Sequence, residues 1–126
     1  MGLIITGNLE QEKLKNPQRK GWFIGHFMEP NSVFQSNDFE VRWGIHKKGE
    51  KKDIPGANMT AKTISILIKG KFAIRFPKQK KEVVLSKVGD FAFWDAKVYH
   101  TSEALTDSVI LTIRWPSVAG DQRDIP

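Results

Sequence analysis

The sequence predicts an all-β domain, a sandwich or barrel of short strands. Three observations carry that expectation: apolar and polar residues alternate over short stretches, Gly, Pro and Asp punctuate the intervals, and beyond the N-terminal stretch no apolar pattern of helical period runs to useful length. With 126 residues, 40% of them hydrophobic and 27% charged, the chain reads as one folded domain spanning 1–126. The absence of cysteine excludes a disulfide scaffold, a thiol nucleophile and Cys-ligated metal sites.

Residues 1–20 read as an N-terminal strand and loop, and the β core occupies about 21–117. Gly2 to Thr6 has the pattern of a short strand, whereas residues 8–20 (NLEQEKLKNPQRK) are polar, with Leu9 and Leu14 as the large apolar positions. They make a loop, or a short helix stopped near Pro17. Gly21 to Met28 is an aromatic-rich strand. Phe39 to His46 alternates, with Phe39, Val41, Trp43 and Ile45 on one face and Glu40, Arg42, Gly44 and His46 on the other. Thr63 to Lys69 and Phe72 to Phe76 flank Gly70-Lys71, which suits a tight hairpin because glycine accepts positive φ. Pro77 ends the second of these strands. Val83 to Leu85, Phe91 to Trp94 and Ser108 to Trp115 supply further strands.

The net charge is +6, mostly from fifteen lysines against five arginines. Lys47-Lys48-Gly49-Glu50-Lys51-Lys52 and Lys78-Gln79-Lys80-Lys81 sit beside Gly or Pro, as turns do. Such lysines keep a β protein soluble and blunt its sheet edges, while the basic balance favours anionic partners. They lack the interleaved aromatics of a nucleic-acid interface, so a nucleic-acid or polyanion partner ranks last. No apolar run is long enough to span a bilayer and no secretory leader is evident, which leads to the expectation of a cytoplasmic protein with no membrane partner.

The second half carries a motif. Gly89 is followed by Asp90, an aromatic strand and, eleven residues on, His100. This resembles the second motif of the cupin superfamily, G-x5-P-x-G-x2-H-x3-N, with Asp95, Lys97 and Ala104 in place of its Pro, second Gly and Asn. Gly49 and Gly70 resemble the end glycines of the first motif, G-x5-H-x-H-x3-4-E-x6-G, whose paired histidines and glutamate are absent between Asp53 and Thr63. The resemblance covers about residues 39–115. More narrowly, Gly21 to Phe27 and Arg114 to Ser117 are similar to the start and end of a group of small single-domain cupins. It implies a jelly-roll β-barrel with a short polar N-terminal segment, a small-molecule site inside the barrel, and a homodimer paired across a two-fold axis.

Ordinary cupins bind iron, manganese, zinc or nickel through three histidines and a glutamate. This chain offers His26, His46 and His100 with Glu40, Glu50 and Asp95, so a substitute His46/Glu40/His100 set is the one metal arrangement the residues allow. The sequence assigns no cofactor. Other cupins, the dTDP-sugar epimerases among them, work without metal through a histidine oriented by a carboxylate. His100 with Asp95 is the catalytic pair that this suggests; the adjacent Tyr99 points to the opposite face if both lie in strand. His26, among Trp22, Ile24 and Met28, reads as a packed histidine. Glu40, Arg42, His46, Trp94 and Arg114 are the candidate ligand-binding residues, because guanidinium groups hold carboxylates and phosphates and tryptophan faces stack on rings. No nucleophile elbow and no phosphate-binding glycine loop is present.

The leading reading is a small-molecule-binding protein of undetermined activity, with an anionic or sugar-like ligand in the barrel. A metal-dependent enzyme with a non-standard ligand set is the alternative, and a polyanion binder the third. One question of orientation remains open. Burial of apolar side chains favours turning Phe39, Val41, Trp43 and Ile45 inward. The opposite orientation brings His46, His100 and Glu40 to one cavity.

Overall fold

The computed structural model describes residues 2–125. Two five-stranded antiparallel sheets face one another. The strands in chain order are β1 (Trp22–Ile24), β2 (Glu40–His46), β3 (Lys51–Asn58), β4 (Lys62–Lys69), β5 (Phe72–Phe76), β6 (Lys81–Leu85), β7 (Phe91–Trp94), β8 (His100–Ala104), β9 (Ser108–Trp115) and β10 (Gln122–Asp124). One sheet runs β1-β2-β9-β4-β7 and the other β10-β3-β8-β5-β6. Apart from β1–β2 and β5–β6, successive strands cross between the sheets, as in a jelly roll. Among the described residues no helix is long and apolar enough to cross a membrane.

The N-terminal stretch forms the helix α1 (Leu9–Lys15). Asn8 caps it by accepting the Gln11 N–H at 3.1 Å, and Glu10 and Glu12 at its start complement Lys13 and Lys15 at its end. Pro17 opens a turn of 3₁₀ helix immediately after. The strand expected over Gly2 to Thr6 does not form: among the described residues these backbones pair with no other strand.

Three further expectations change. The strand expected over Gly21 to Met28 stops at Ile24. At Gly25 a side chain would collide with the Phe27 ring and with Glu40, so the chain turns there. Gly70-Lys71 does not close a hairpin. Its flanking strands belong to different sheets, and the pair is the corner between them. Gly70 has φ +92°, and a Cβ there would lie 2.3 Å from the Asp107 carbonyl oxygen, so only glycine fits the corner. β3, β8 and β10 lay outside the sequence expectations. β3 begins in the lysine cluster and contains Pro55, and its register with β8 shifts between Lys52 and Gly56, a bulge that accommodates the proline.

The orientation of β2 reverses the expectation from apolar burial. Arg42 and His46 line the space between the sheets, and Val41, Trp43 and Ile45 lie on the outer face. The neighbouring strands follow suit. Ser65 and Ala92 pair in register with each other, and Ser65 pairs with Thr112, on the inside; Ile64, Ile66, Leu111, Ile113, Phe91 and Phe93 pair on the outside. The physical reason is that the outer face is not wholly open to water. α1 lies against part of it, with Trp43 Nε1 donating to Glu10 at 3.0 Å and Lys13 Nζ donating to the Ile45 carbonyl at 2.9 Å.

The apolar core sits toward one end of the barrel, where Leu67, Phe72, Ile74, Phe76, Leu85, Trp94 and Ile110 cluster. Leu67 and Ile74 are each 1% exposed. Leu67→Ala removes packing from both sheets, and urea denaturation should show a loss of about 2–5 kcal/mol; a smaller loss would mean that the core collapses around the deletion.

Candidate functional site

Between the sheets lies a cavity of about 110 Å³. Strands from both sheets build it. β2 contributes Arg42 and His46, β9 contributes Thr112 and Arg114, β8 contributes His100 and Ser102, and β1, β3 and β7 contribute Trp22, Lys52 and Trp94. Its cationic lining is Arg42, Lys52 and Arg114, and no carboxylate lines it among the described residues.

Arg114 reaches this place because Glu40 is its directly opposed partner in the β2–β9 ladder. Its Nη1 donates to Glu40 Oε2 at 3.3 Å. Glu40, 6% exposed, also accepts from the Ser117 hydroxyl at 2.8 Å. The Ser117 proton is thereby committed, so the His26 Nδ1, 2.7 Å from the same hydroxyl oxygen, must carry a proton and donate to it; the His26 backbone N–H does likewise at 3.0 Å. Burial pushes the Arg114 guanidinium pKa down, and Glu40 opposes that. Arg42 is pushed down by burial and then by Arg114. Its Nε donates to the Lys20 carbonyl at 2.7 Å. Trp22 stands by both guanidinium groups, its ring centroid 4.7 Å from Arg114 Cζ and 5.9 Å from Arg42 Cζ.

The two histidines are held differently. His46 hydrogen-bonds Glu50 through Nδ1, and its Nε2 lies over Gly44, where a Cβ would come within 2.8 Å. Gly44 thus gives the ring room to lie along its own strand, beside Phe72 at 5.1 Å between centroids. Burial lowers the His46 pKa, with Glu50 opposing and Arg42 assisting. The His100 ring is 4.6 Å from Trp94 between centroids, and Nδ1 lies 3.4 Å from the Val98 carbonyl oxygen. Burial, reinforced by the charges of Arg114 and Lys52, pushes its pKa down to about 4.

Of the residues expected at the site, Arg42, His46, Trp94, His100 and Arg114 all line one cavity, and Glu40 stands behind Arg114. Asp95 is exposed, and no hydrogen bond joins it to His100 among the described residues. Tyr99 does not line the cavity; its ring lies 4.3 Å from Lys78 Nζ. Lys52 and Ser117 lay outside the sequence expectations, and Glu50 entered them only among the carboxylates offered to a metal. Ser65 and Thr112, whose hydroxyls meet at 2.9 Å, were legible as polar interruptions in Ile/Leu strands.

The donor set does not fit a divalent metal. No group of three or more His, Asp or Glu side chains converges among the described residues. Glu40 is committed to Arg114 and Ser117, and the two guanidinium groups beside the histidines repel a dication. A larger cavity of about 540 Å³ lies outside the barrel, between residues 5–9 and β1. It is lined chiefly by apolar groups and holds none of the expected site residues.

Comparison with known proteins identifies the fold. No family model matches, and no curated protein does. Among solved structures, a double-stranded β-helix protein from Klebsiella pneumoniae superposes with TM-score 0.63 at 14% identity, covering 82% of this chain and 91% of that one. KdgF from Halomonas sp. matches with TM-score 0.59 at 19% identity, over 67% of this chain and 74% of that one. An RmlC-like cupin from Desulfovibrio desulfuricans gives TM-score 0.58 at 16% identity, over 68% and 79% respectively. This chain has the cupin fold. The expected all-β jelly roll is therefore what the chain forms, and the cupin barrel places the cavity between its two sheets.

The depressed His100 pKa makes a prediction. Between about pH 6.5 and 4 the unfolded chain protonates this residue and the folded chain does not, so stability falls as pH drops through that window. The contribution is at most roughly 3 kcal/mol at 1.36 kcal/mol per unit. Urea denaturation across that window should show the slope in the wild type and lose this share of it in His100→Gln. An NMR titration placing the His100 ring near 6.5 would contradict the burial argument.

Proposed function

We propose that this cupin binds a small anion inside its barrel, a short organic acid or an oxyanion of similar size. The supporting observation is a set of buried polar atoms with no partner: Arg114 Nε, Trp94 Nε1 and Thr63 Oγ1. Thr63 pairs in register with both Trp94 and Arg114, so the three sit side by side on β7, β4 and β9. Buried donors without acceptors are costly, about 1–3 kcal/mol each, and an oxyanion accepting from both N–H groups relieves that cost. The cationic lining favours the same charge. A volume of 110 Å³ is about four water volumes, which favours a short acid over a sugar nucleotide.

His46 supports a second, catalytic reading. Its hydrogen bond to Glu50 fixes the ring with Nε2 free beside the cavity, the arrangement of a general base on the bound acid. In that reading His46 with Glu50 takes the part that the sequence suggested for His100 with Asp95.

Homodimerisation belongs to the same proposal. Ile64, Ile66, Leu111, Ile113, Phe91, Phe93 and Trp115 give β4, β9 and β7 an apolar outer surface whose charged margin is Lys62, beside Trp115, on a chain of net charge +6. Phe91 is 61% exposed. An apolar face on a basic protein, with its lysine at the margin, suits a second copy of itself, since few like charges meet there.

Thermal denaturation against short mono- and dicarboxylates, phosphate and neutral sugars tests the anion reading. One or more anions should raise the midpoint, by an equivalent of about 2.7 kcal/mol at a hundredfold excess over Kd, and the neutral sugars should not. Arg114→Gln should weaken that binding tenfold or more. Stabilisation by neutral sugars alone, or unchanged anion affinity in Arg114→Gln, would remove the proposal.

A further inference from the structure

The cations of the cavity stand on two opposite walls. Arg42 and Arg114 reach in from β2 and β9 of one sheet, and Lys52 reaches in from β3 of the other. In the β3–β8 ladder Lys52 lies opposite Ser102, and Gly56 lies opposite His100. Both β8 residues line the cavity, so Lys52 and the side of Gly56 that lacks a side chain face it as well. β10 then sets Asp124 opposite Gly56. Lys52 Nζ donates to Asp124 Oδ1 at 3.0 Å, and the pair lies over the glycine, where a Cβ would come 2.6 Å from that nitrogen and 2.5 Å from that oxygen. Gly56 thus leaves room for the ammonium group against the backbone beside His100, which feels the charges of Lys52 and Arg114 alike.

We propose that the anion held in this barrel is a short dicarboxylate in the size range of malonate or succinate. One carboxylate sits on Arg114 and Trp94, the other on Lys52, and Asp124 competes with the ligand for that lysine. The proposal rests on the anion reading above and names the class of acid. The buried, unpartnered N–H groups of Arg114 and Trp94 take the first carboxylate. Facing sheets stand about 10 Å apart, and long cationic side chains entering from both sides leave space for a short spacer between two acid groups. A monocarboxylate reaches one wall or the other, and a dicarboxylate reaches both.

Asp124 is placed to yield. Its side chain is 53% exposed, and β10 is an edge strand of three exposed residues. The backbone around it is fixed independently of its carboxylate. Asp121 accepts from the Thr60 and Ala61 N–H groups at 2.9 and 3.0 Å, and the Ile125 N–H donates to the Pro55 carbonyl at 2.8 Å. The Asp124 side chain can therefore turn to water while β10 stays in place, and the four-carbon stem of Lys52 lets its ammonium group follow the ligand inward. A half-exposed pair of this kind contributes little to stability, so variants at either residue should fold.

Calorimetric titration of the full chain with malonate and succinate, set against acetate and propionate, tests this. A dicarboxylate should bind the wild type at least tenfold more tightly than either monocarboxylate. Lys52→Met should weaken the dicarboxylate tenfold or more and change monocarboxylate binding less than twofold. Asp124→Asn, which removes the competitor and keeps the lysine, should tighten the dicarboxylate threefold or more. Equal losses for one and two carboxylates in Lys52→Met, or an unchanged dicarboxylate affinity in either variant, would overturn the two-wall assignment and leave the anion reading standing. A wild type that binds neither these acids nor phosphate would overturn both.

Discussion

The ion pair between Glu40 and Arg114 is the constraint on which the barrel depends. Both side chains are buried, and desolvating such ions costs several kcal/mol each unless they are paired and hydrogen-bonded. Glu40 meets that condition through Arg114 and Ser117, and His26 completes the set from the far side of Ser117. Four separate parts of the chain are thereby tied together: β2, β9, the segment after β9, and the turn after β1. The pair also settles which way β2 faces. With Glu40 held inward, alternation carries Arg42, Gly44 and His46 inward with it.

That orientation has a consequence on the other side of the sheet. In register, every residue opposite Arg42 or Thr112 joins the polar interior, and every residue opposite Val41 or Trp43 joins an apolar exterior. This part of the sheet is inverted relative to an isolated barrel, whose apolar face would be sealed inside, whereas Leu67, Ala92, Trp94 and Ile110 of the same sheet still face the core. Burying a large aliphatic or aromatic side chain is worth about 1.5–3 kcal/mol, so an inverted sheet is economical only if its outer face is also covered. α1 covers the β2 end. The β4–β9–β7 end is the face assigned above to the proposed homodimer, so the polar cavity and that apolar face are two results of one inversion.

The same reasoning explains what the sequence could convey. Strand existence was legible wherever alternation was strong and turns were marked: Phe91 to Trp94 and Ser108 to Trp115 form strands with those bounds. The Gly89 to His100 spacing located a residue that does line the cavity. β3 was hidden because its lysines and Pro55 are turn-like locally, and only pairing with β8 makes them strand. The direction of β2 was hidden too, since transfer energies summed over one strand cannot register an ion pair that spans 74 positions of sequence. Glu50 was visible as one acid inside a lysine cluster, but its pairing with His46 was not, because that comes from the turn that returns it to the strand.

Lining charge separates this barrel from those that hold metals. A metal site collects neutral imidazoles and carboxylates around a dication. Here burial and the nearby cations hold His46 and His100 in their neutral form, as a metal would need, but the positive charge is already supplied by the protein's own guanidinium groups. Burial disfavours the charged form of both Arg42 and Arg114, and Arg114 adds to the effect on Arg42; negative charge placed beside them opposes both. An anion of the kind proposed above would gain from both arginines and would make protonation of the two histidines easier. Binding of such an anion would then be coupled to proton uptake, and the two would reinforce one another in the acid direction.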